Sequence, residues 1–311
     1  IAKDYDLYSE FGPALGRNPA KIDKEVNGLS VALVNLEGGE FYHMGNSAEL
    51  VETNLAVQNR INDQREIWHR KIKPHPSIFV LNSNISVTWN ISHRNIWIEN
   101  SHIPASWMLH ENHVITGIQE NLWVLTLNRG NCLDLVPLDD DQLAIRNYGY
   151  TDVFKGKWSD HSTFFMEEPL MEWLNKRDLT GCFDSLTKDL DIHSLPLFPV
   201  ITKNNIEEGF IQWLLDEAPK SNIKYAHLWL SSERLSADDI SVRCDICEVE
   251  GQRKALRLKN IPLLACNYRS SVFYQLDLNG LADEYIENDL PLPEDLPLNT
   301  KGWIPVHDYM F

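Results

Sequence analysis

The feature of this sequence that most constrains its fold is a run of large apolar residues spaced six apart. An α-helix repeats about every 3.6 residues and a strand every two, so a period of six does not suit a helix. Six residues make one short strand and a corner, which is typical of a parallel β-helix with one apolar side chain per face pointing inward. We therefore predict a parallel, left-handed β-helix with these inward residues: Phe79, Ile85, Ile91, Trp97, Ile103, Leu109 and Ile115.

Two asparagines fall just before inward positions of this repeat. Asn84 and Asn90 are expected at the corners, because asparagine tolerates left-handed backbone angles. The alternative is an ordinary antiparallel sheet whose large residues fall at multiples of six by chance. The length of the run favours the β-helix.

The segments on either side of the repeat predict a mixed α/β chain that is mainly β. Residues 29–36 and 40–44 have the pattern of two strands, and Asn46 and Glu49 have the spacing of a capping box at the start of a helix. After the repeat we predict helices at 167–178, 206–217 and 280–288, strands at 226–231 and 271–276, and an extended tail at 291–311.

The charge balance argues against one class of partner. The formal net charge is -17 and the pI is near 5.0, whereas proteins that bind nucleic-acid backbones rely on clustered Lys and Arg. No apolar run approaches the roughly 18–20 residues that a membrane helix needs. The five cysteines, an odd number, do not suggest a disulfide framework. We therefore expect no nucleic-acid partner, no membrane association and a cytoplasmic location.

Local motifs do not by themselves point to a reaction. Cys244 and Cys247 form a CxxC pair, but a structural zinc needs four ligands and no second pair accompanies them, so we expect thiols without a metal. Neither a Gly-rich phosphate loop nor a serine nucleophile elbow occurs in the sequence. Four histidines of the repeat are expected to face solvent or to bond between coils: His93, His102, His110 and His113.

Several longer segments carry a resemblance to one enzyme family. They occur in order along nearly the whole chain: DYDLYSEFGPALG (4–16), GGEFYHMGNSAEL (38–50), VQNRINDQREIWHRKIKPHPSIF (57–79), WIENSHIP (97–104), VITGIQENLW (114–123), YGYTDVFKG (148–156), LWLSSERLSADDIS (228–241) and SVFYQLDL (271–278). Together they resemble the L-fucose-1-phosphate guanylyltransferases, particularly the bifunctional enzymes that also carry L-fucokinase activity.

The resemblance implies a domain order and a reaction. Residues 1–74 would end a sugar-nucleotidyltransferase α/β domain, 75–145 would form the β-helix, 146–290 would form an α+β region that leads to a kinase domain, and 291–311 would be an extended tail. The reaction would join GTP and L-fucose 1-phosphate into GDP-L-fucose and pyrophosphate, aided by Mg²⁺. The Gly-rich signature that holds the triphosphate is expected before Ile1, so this chain alone is expected to be inactive.

The resemblance also implies a substrate-binding turn at Tyr42, His43, Gly45 and Asn46. Its placement is similar to a D-x-G-T motif at the end of many sugar-nucleotidyltransferase domains, where the acid helps to hold the metal. Because His43 stands where that acid would be, we expect it to hydrogen-bond to sugar or phosphate and not to ligate a metal. The alternative is a tight turn that only caps a helix, which Gly45 and Asn46 explain unaided.

A second function class remains open at this point. The chain could be a non-catalytic scaffold or interaction module, because a β-helix exposes long edges that favour assembly. A homo-oligomer would fit that interpretation. An acyltransferase of the hexapeptide-repeat type is disfavoured, since such β-helices are longer than the run found in this sequence.

Overall fold

The computed structural model describes residues 5–61 and 76–267. The chain divides into two compact units, residues 1–42 and residues 43–311. Strands are β1 (Ile78–Leu81), β2 (Asn84–Ile85), β3 (Ile96–Glu99), β4 (His102–Ile103), β5 (Met108–Leu109), β6 (His113–Thr116), β7 (Thr126–Leu127), β8 (Asn131–Leu138), β9 (Gln142–Gly149), β10 (Phe164–Phe165), β11 (Glu168–Pro169), β12 (Phe198–Thr202) and β13 (Arg234–Leu235). Helices are α1 (Ser47–Ile61), α2 (Leu170–Lys176), α3 (Glu208–Leu215), α4 (Ile223–Ser231), α5 (Ala237–Arg243) and α6 (Ile246–Asn267).

The first unit has little regular structure. A single π-helical turn spans Leu7–Phe11 and a 3₁₀ turn spans Gly12–Ala14. The strands predicted at 29–36 and 40–44 are wrong for the described chain, because these residues form no ladder. An apolar alternation becomes a strand only where a neighbouring strand can pair with its backbone. Without that neighbour, the Leu33 side chain is 96% exposed.

The second unit contains the predicted β-solenoid. Strands β1, β3, β6 and β8 pair in parallel on one face, while β2 pairs with β4 and β5 pairs with β7 on the two others. Successive contacts between coils span 18, 17 and 18 residues, which gives about three turns. The prediction of a parallel β-helix is therefore confirmed, and its handedness stays a prediction.

The predicted inward side chains divide into two groups. Ile103, Leu109 and Ile115 are at most 5% exposed in the solenoid core, and Ile85 packs against that core, as predicted. Three of the predicted positions are wrong: Ile91 is fully exposed, and Phe79 and Trp97 lie on the outer face of the sheet.

The direction of Trp97 follows from its neighbour two residues on. Trp97 and Glu99 must share one face of strand β3, because successive side chains of a strand alternate. Placing Trp97 inside would also bury the Glu99 carboxylate in the core, which is costly without a partner. Ile96 and Ile98 therefore fill the interior and are fully buried.

The outer face of the sheet forms a second, smaller core with helix α1. Val51 of this helix is fully buried against Phe79, Val114, Cys132 and Tyr150. Helix α1 begins at Ser47, close to the predicted start. Aromatic and smaller apolar side chains on the outer face of the sheet therefore hold the helix in place.

The corners of the solenoid are formed by asparagines other than the predicted pair. Asn84 lies in strand β2, and Asn90 is not among the residues with left-handed angles. Two ladders run between coils, in which one carboxamide donates to the next at 2.9 and 3.0 Å. Their members have φ between 47° and 63°: Asn82 with Asn100, and Asn95 with Asn112. In the third coil Gly117 and Gly130 take the equivalent positions, also with positive φ.

Substitution of one ladder residue tests this account. Asn112→Ala is expected to lower the free energy of unfolding by about 2 kcal/mol, because it removes the bond from Asn95 and forces alanine into a left-handed conformation. Asn112→Gly keeps that conformation accessible and should cost only about half as much. Urea denaturation of both variants measures the difference. Equal losses for alanine and glycine would contradict a role for the backbone angle.

The remaining elements continue the sheet and cover it. The seven-stranded sheet has the order β1-β3-β6-β8-β9-β12-β13, and pairing becomes antiparallel from β8 onward. Helices α2 and α3 confirm the predicted helices at 167–178 and 206–217. The predictions at 271–276, 280–288 and 291–311 lie outside the described residues.

The strand predicted at 226–231 is wrong, since these residues lie in helix α4. The side chain of Asn222 caps the helix by accepting from the backbone N–H groups of Lys224 and Tyr225. Ala226 and Trp229, three residues apart, are the buried positions of the helix. The local alternation of apolar residues is outweighed by this cap and by the packing of one helical face.

Helix α3 closes the last coil of the solenoid on its β5–β7 side. The Gln212 side chain accepts from Thr126 N–H at 2.8 Å and donates to Thr126 C=O at 3.0 Å. The Glu208 carboxylate accepts from Val124 N–H at 3.0 Å. Side chains thus satisfy backbone groups that a further strand would otherwise pair with.

Candidate functional site

The predicted substrate turn lies at the start of helix α1. The carboxamide oxygen of Asn46 accepts from Glu49 N–H at 2.9 Å, and the Glu49 carboxylate accepts from Gly45 N–H at 2.7 Å. This arrangement confirms the predicted cap with one difference: the carboxylate reaches the residue before the cap, whereas the usual box returns to the cap residue itself.

His43 is held by the same carboxylate. Its Nδ1 lies 2.6 Å from the nearer oxygen of Glu49, and its C=O accepts from the Thr53 hydroxyl at 2.7 Å. The hydrogen bond from Gly45 and the contact with His43 lower the pKa of Glu49, so the carboxylate is ionised at neutral pH. The ionised Glu49 carboxylate accepts a hydrogen bond from Nδ1–H of His43, which fixes the orientation of the imidazole.

Gly45 permits this close approach. A Cβ atom at this position would lie 2.3 Å from Cε1 of His43 and 3.2 Å from the Glu49 carboxylate. The structure therefore brings His43, Gly45 and Asn46 together around Glu49. Tyr42 belongs to the other compact unit, in which its hydroxyl donates to Glu40 at 2.7 Å.

Removing the cap should weaken helix α1. Asn46→Ala is expected to lower the free energy of unfolding by about 1 kcal/mol, because Glu49 N–H loses its acceptor. Asn46→Asp retains an acceptor of the same length and serves as the matched control. Thermal unfolding followed by circular dichroism compares the two. A melting temperature unchanged by alanine would exclude a capping role.

The CxxC pair and the three consecutive aspartates at 139–141 belong to other elements than this turn. Cys244 caps the end of helix α5 and Cys247 lies exposed in helix α6. Asp140 and Asp141 form a left-handed turn between β8 and β9, where Asp141 lies 3.4 Å from Lys203 Nζ. Within residues 5–61 and 76–267, no three His, Cys, Asp or Glu side chains come together as metal ligands.

His113 forms a hydrogen bond between coils, which is one of the two arrangements predicted for the histidines of the repeat. Its Nδ1 donates to the C=O of Asn131 in the next coil at 2.8 Å, and its Nε2 accepts from His110 N–H at 3.0 Å. The side chain is fully buried, and burial lowers its pKa to about 4. The imidazole is therefore a neutral structural group at physiological pH.

A row of polar side chains on the outer face of the sheet was missed by the sequence reasoning. Glu99, Thr116, Asp134 and Arg146 are paired in register across β3, β6, β8 and β9. Asp134 accepts from the Thr116 hydroxyl at 2.6 Å and from the Arg146 guanidinium at 2.5 Å. The only signal in the sequence was that Glu99 and Thr116 each follow an outward apolar residue by two positions.

Comparison with known proteins assigns the chain to a family. Residues 11–203 match the family model described as the fucose pyrophosphorylase domain. The chain belongs to the fucose pyrophosphorylase family. The matched residues include the whole β-solenoid and the turn that precedes helix α1.

A curated relative extends the comparison beyond the family model. The chain is 42% identical over 310 residues to an L-fucokinase/L-fucose-1-P guanylyltransferase of Bacteroides fragilis. The alignment covers 99% of this fucose pyrophosphorylase family member and 32% of the relative, so the chain spans about a third of that protein's length. No solved structure matches the chain. Among the described residues, no helix has the length and hydropathy needed to cross a bilayer.

Proposed function

We propose that this chain supplies the β-solenoid part of an L-fucose-1-phosphate guanylyltransferase, which makes GDP-L-fucose from GTP and L-fucose 1-phosphate. The observation that carries the proposal is the 42% identity over 99% of the chain to a relative named for that activity. The same relative is named as an L-fucokinase, so we extend the proposal to a protein with both activities. We expect such a protein to work in the cytoplasm.

The proposed reaction makes limited demands on the protein. A phosphate oxygen of L-fucose 1-phosphate attacks the α-phosphorus of GTP, and the bond from that phosphorus to the departing pyrophosphate breaks. No protein nucleophile is needed, so catalysis rests on positioning and on cations that stabilise the developing charge. The α1 turn instead presents the ionised Glu49. We therefore propose that the 311-residue chain does not hold the triphosphate by itself.

Mg²⁺ is part of the proposal, but the described residues do not fit it. Magnesium prefers several oxygen ligands at octahedral positions. The described parts of the chain, 5–61 and 76–267, contain no cluster of three or more potential metal ligands. We place the binding of Mg²⁺ outside these residues and derive no step through it.

We further propose that residues 1–74 complete a nucleotidyltransferase α/β domain. The support is the segment 29–36, which forms no strand in the described chain and leaves the side chains of Leu33 and Val34 more than 90% exposed. Two such large apolar side chains suit the interior of a domain better than water. A further part of the same domain would cover these side chains.

We propose that Tyr42, His43, Gly45 and Asn46 form the sugar-phosphate side of the active site. The Glu49 contact orients the His43 imidazole, and the absence of a Cβ at Gly45 allows the backbone to approach a ligand closely. His43 would hydrogen-bond to the sugar or its phosphate. The carboxylate of Glu49 disfavours a phosphate placed directly on this turn, which makes the sugar hydroxyls the better partners.

Two experiments test the proposed function. Isothermal titration of the 311-residue chain with GTP and Mg²⁺ should show no binding in the micromolar range. Clear micromolar binding would refute the proposal that this chain does not hold the triphosphate by itself. In the full polypeptide that carries this sequence, GDP-L-fucose formation should be detectable and His43→Ala should reduce kcat/KM about tenfold or more. His227→Ala, an exposed site on α4, is the control. A full polypeptide without guanylyltransferase activity would overturn the assignment.

A non-catalytic scaffold is the second candidate. The exposed apolar side chains of residues 29–36 favour it, because such surfaces mark docking sites. A homo-oligomer seen by gel filtration with light scattering would support this candidate. A strictly monomeric chain would count against it.

A further inference from the structure

Helix α1 and the turn before it hold one side chain, the imidazole of His43, by several contacts. One oxygen of the Glu49 carboxylate, Oε2, lies 2.6 Å from Nδ1 of the ring and also accepts from Gly45 N–H at 2.7 Å. The Thr53 hydroxyl, one helical turn after Glu49, donates to the His43 C=O at 2.7 Å. Both the ring and the backbone of His43 are therefore fixed by residues of the same short segment.

Stability alone does not account for this arrangement. The side chains of His43 and Glu49 are 61% and 39% exposed, and ion pairs at such positions contribute little to the free energy of unfolding. The start of α1 is already capped by Asn46, which accepts from Glu49 N–H without using the imidazole. An exposed ring that is held in one orientation is suited to a ligand, because binding then does not have to order the side chain first.

The contact with Glu49 also decides which ring nitrogen carries the proton when the imidazole is neutral. An ionised carboxylate can only accept hydrogen bonds, so Nδ1 must be the donor in this contact. The hydrogen bond made by one ring nitrogen thus sets the role of the other. In the neutral ring Nε2 becomes the acceptor nitrogen, whereas a histidine surrounded by water mostly carries its proton on Nε2.

An acceptor nitrogen favours a ligand that can donate. A sugar hydroxyl can donate a hydrogen bond to Nε2 of His43. An ionised phosphate offers only acceptor oxygens, so it cannot make this bond with the neutral ring. The charge of Glu49 acts in the same direction, because it repels a phosphate placed on the turn.

We propose that Glu49 is a positioning residue that holds His43 as the Nδ1–H tautomer, so that Nε2 accepts a hydrogen bond from a hydroxyl of the sugar substrate. The identity of the substrate rests on the proposed guanylyltransferase function, whereas the choice of tautomer does not. Glu49 touches no reacting atom in this account and acts through His43 alone.

Nitrogen-15 NMR of the 311-residue chain measures the tautomer directly, because protonated and unprotonated ring nitrogens resonate far apart. At pH 9, where an ordinary histidine is neutral, His43 should be found as Nδ1–H, with its signals assigned by their loss in His43→Gln. Glu49→Met removes the acceptor at similar side-chain length and should make Nε2–H the main form. Glu49→Gln should retain Nδ1–H, since one oxygen serves both donors. Glu52→Met, at an exposed position of the same helix, should match the wild type.

The kinetics of the full polypeptide that carries this sequence test the positioning role. Glu49→Met should lower kcat/KM for GDP-L-fucose formation about fivefold in the wild-type background. In the His43→Ala background it should change kcat/KM less than twofold, because the effects of residues that act through one another do not add. A merely structural role of Glu49 would lower kcat/KM equally in both backgrounds. Glu52→Met should change neither.

Two results would overturn the proposal. The first is Nε2–H as the main form of His43 in the wild-type chain. The second is a loss of kcat/KM in Glu49→Met that is absent, or that is equal in the two backgrounds. The proposed function fails differently: a wild-type polypeptide that makes no GDP-L-fucose would remove the sugar contact together with the guanylyltransferase assignment, while NMR would still decide whether Glu49 sets the tautomer.

Discussion

Arg177→Leu is expected to lower the free energy of unfolding by about 4 kcal/mol. The Arg177 side chain is 1% exposed and donates to four backbone carbonyls at the ends of two helices. Its Nε bonds to Trp213 C=O, one terminal nitrogen bonds to Trp173 C=O, and the other bonds to Leu214 and Asp216 C=O at 3.1 and 2.6 Å. Leucine fills part of the space but removes all four hydrogen bonds, and of these carbonyls Leu214 C=O keeps the donor Asn147 Nδ2 at 3.3 Å.

The ring contacts of Arg177 add to this effect. The guanidinium lies 4.2 Å from the ring centroid of Trp173 and 5.6 Å from that of Trp213, within the range of cation–π attraction. Burial lowers its pKa to about 9, so it remains charged at neutral pH. Lysine in its place cannot reach four carbonyls from one plane.

Urea denaturation followed by tryptophan fluorescence measures the loss. Arg243→Leu is the matched control, since Arg243 is exposed and pairs with Glu233 at the surface, where such pairs contribute less than about 1 kcal/mol. Similar losses in Arg177→Leu and Arg243→Leu would show that the buried guanidinium does not hold these helices together.

The second large effect is a loss of stability in acid that depends on His113. Burial lowers the pKa of His113 to about 4, below the 6.5 of an unfolded histidine. The unfolded chain therefore binds a proton between these values while the folded chain does not. Stability from this group is complete above pH 6.5 and falls as the pH drops to 4, by about 3 kcal/mol in all.

His113→Gln removes the titrating group while leaving a side chain that can hydrogen-bond. The difference in unfolding free energy between the wild-type chain and this variant should shrink by about 3 kcal/mol from pH 7 to pH 4. Denaturation at several pH values measures it. His227→Gln, at an exposed position of α4, should instead follow the wild type throughout. A constant difference between wild type and His113→Gln would mean that His113 does not carry this dependence.

The β-solenoid could be predicted from the sequence because the six-residue period of its apolar residues is visible even when the face on which each residue lies is unknown. The face on which each residue lies could not. In the segment 96–99 the first three residues are all apolar, so they do not show which face of the strand points into the core. Only Glu99, the fourth residue, shows that its own face and that of Trp97 point outward. The six-residue spacing alone does not take Glu99 into account. It therefore placed Phe79 and Trp97 in the solenoid core, whereas they lie in the second core on the outer face.

The candidate site was predictable in part for a similar reason. Capping depends on residues three apart, so Asn46 and Glu49 could be recognised locally. The contact of Glu49 with His43 spans six residues and depends on the shape of the turn at Gly45. The polar row needs the coil lengths of 18, 17 and 18 residues before its members can be aligned at all.

The closure of the third coil limits how this molecule can associate. A parallel stack of strands is a template onto which another copy could add without limit, giving fibres. Gln212 and Glu208 occupy the backbone groups of that last rung, and β9 runs antiparallel along the neighbouring face. Two polar residues on the surface of a helix thus prevent further strands from adding to the stack. Gln212→Ala should therefore make the isolated chain more prone to aggregate.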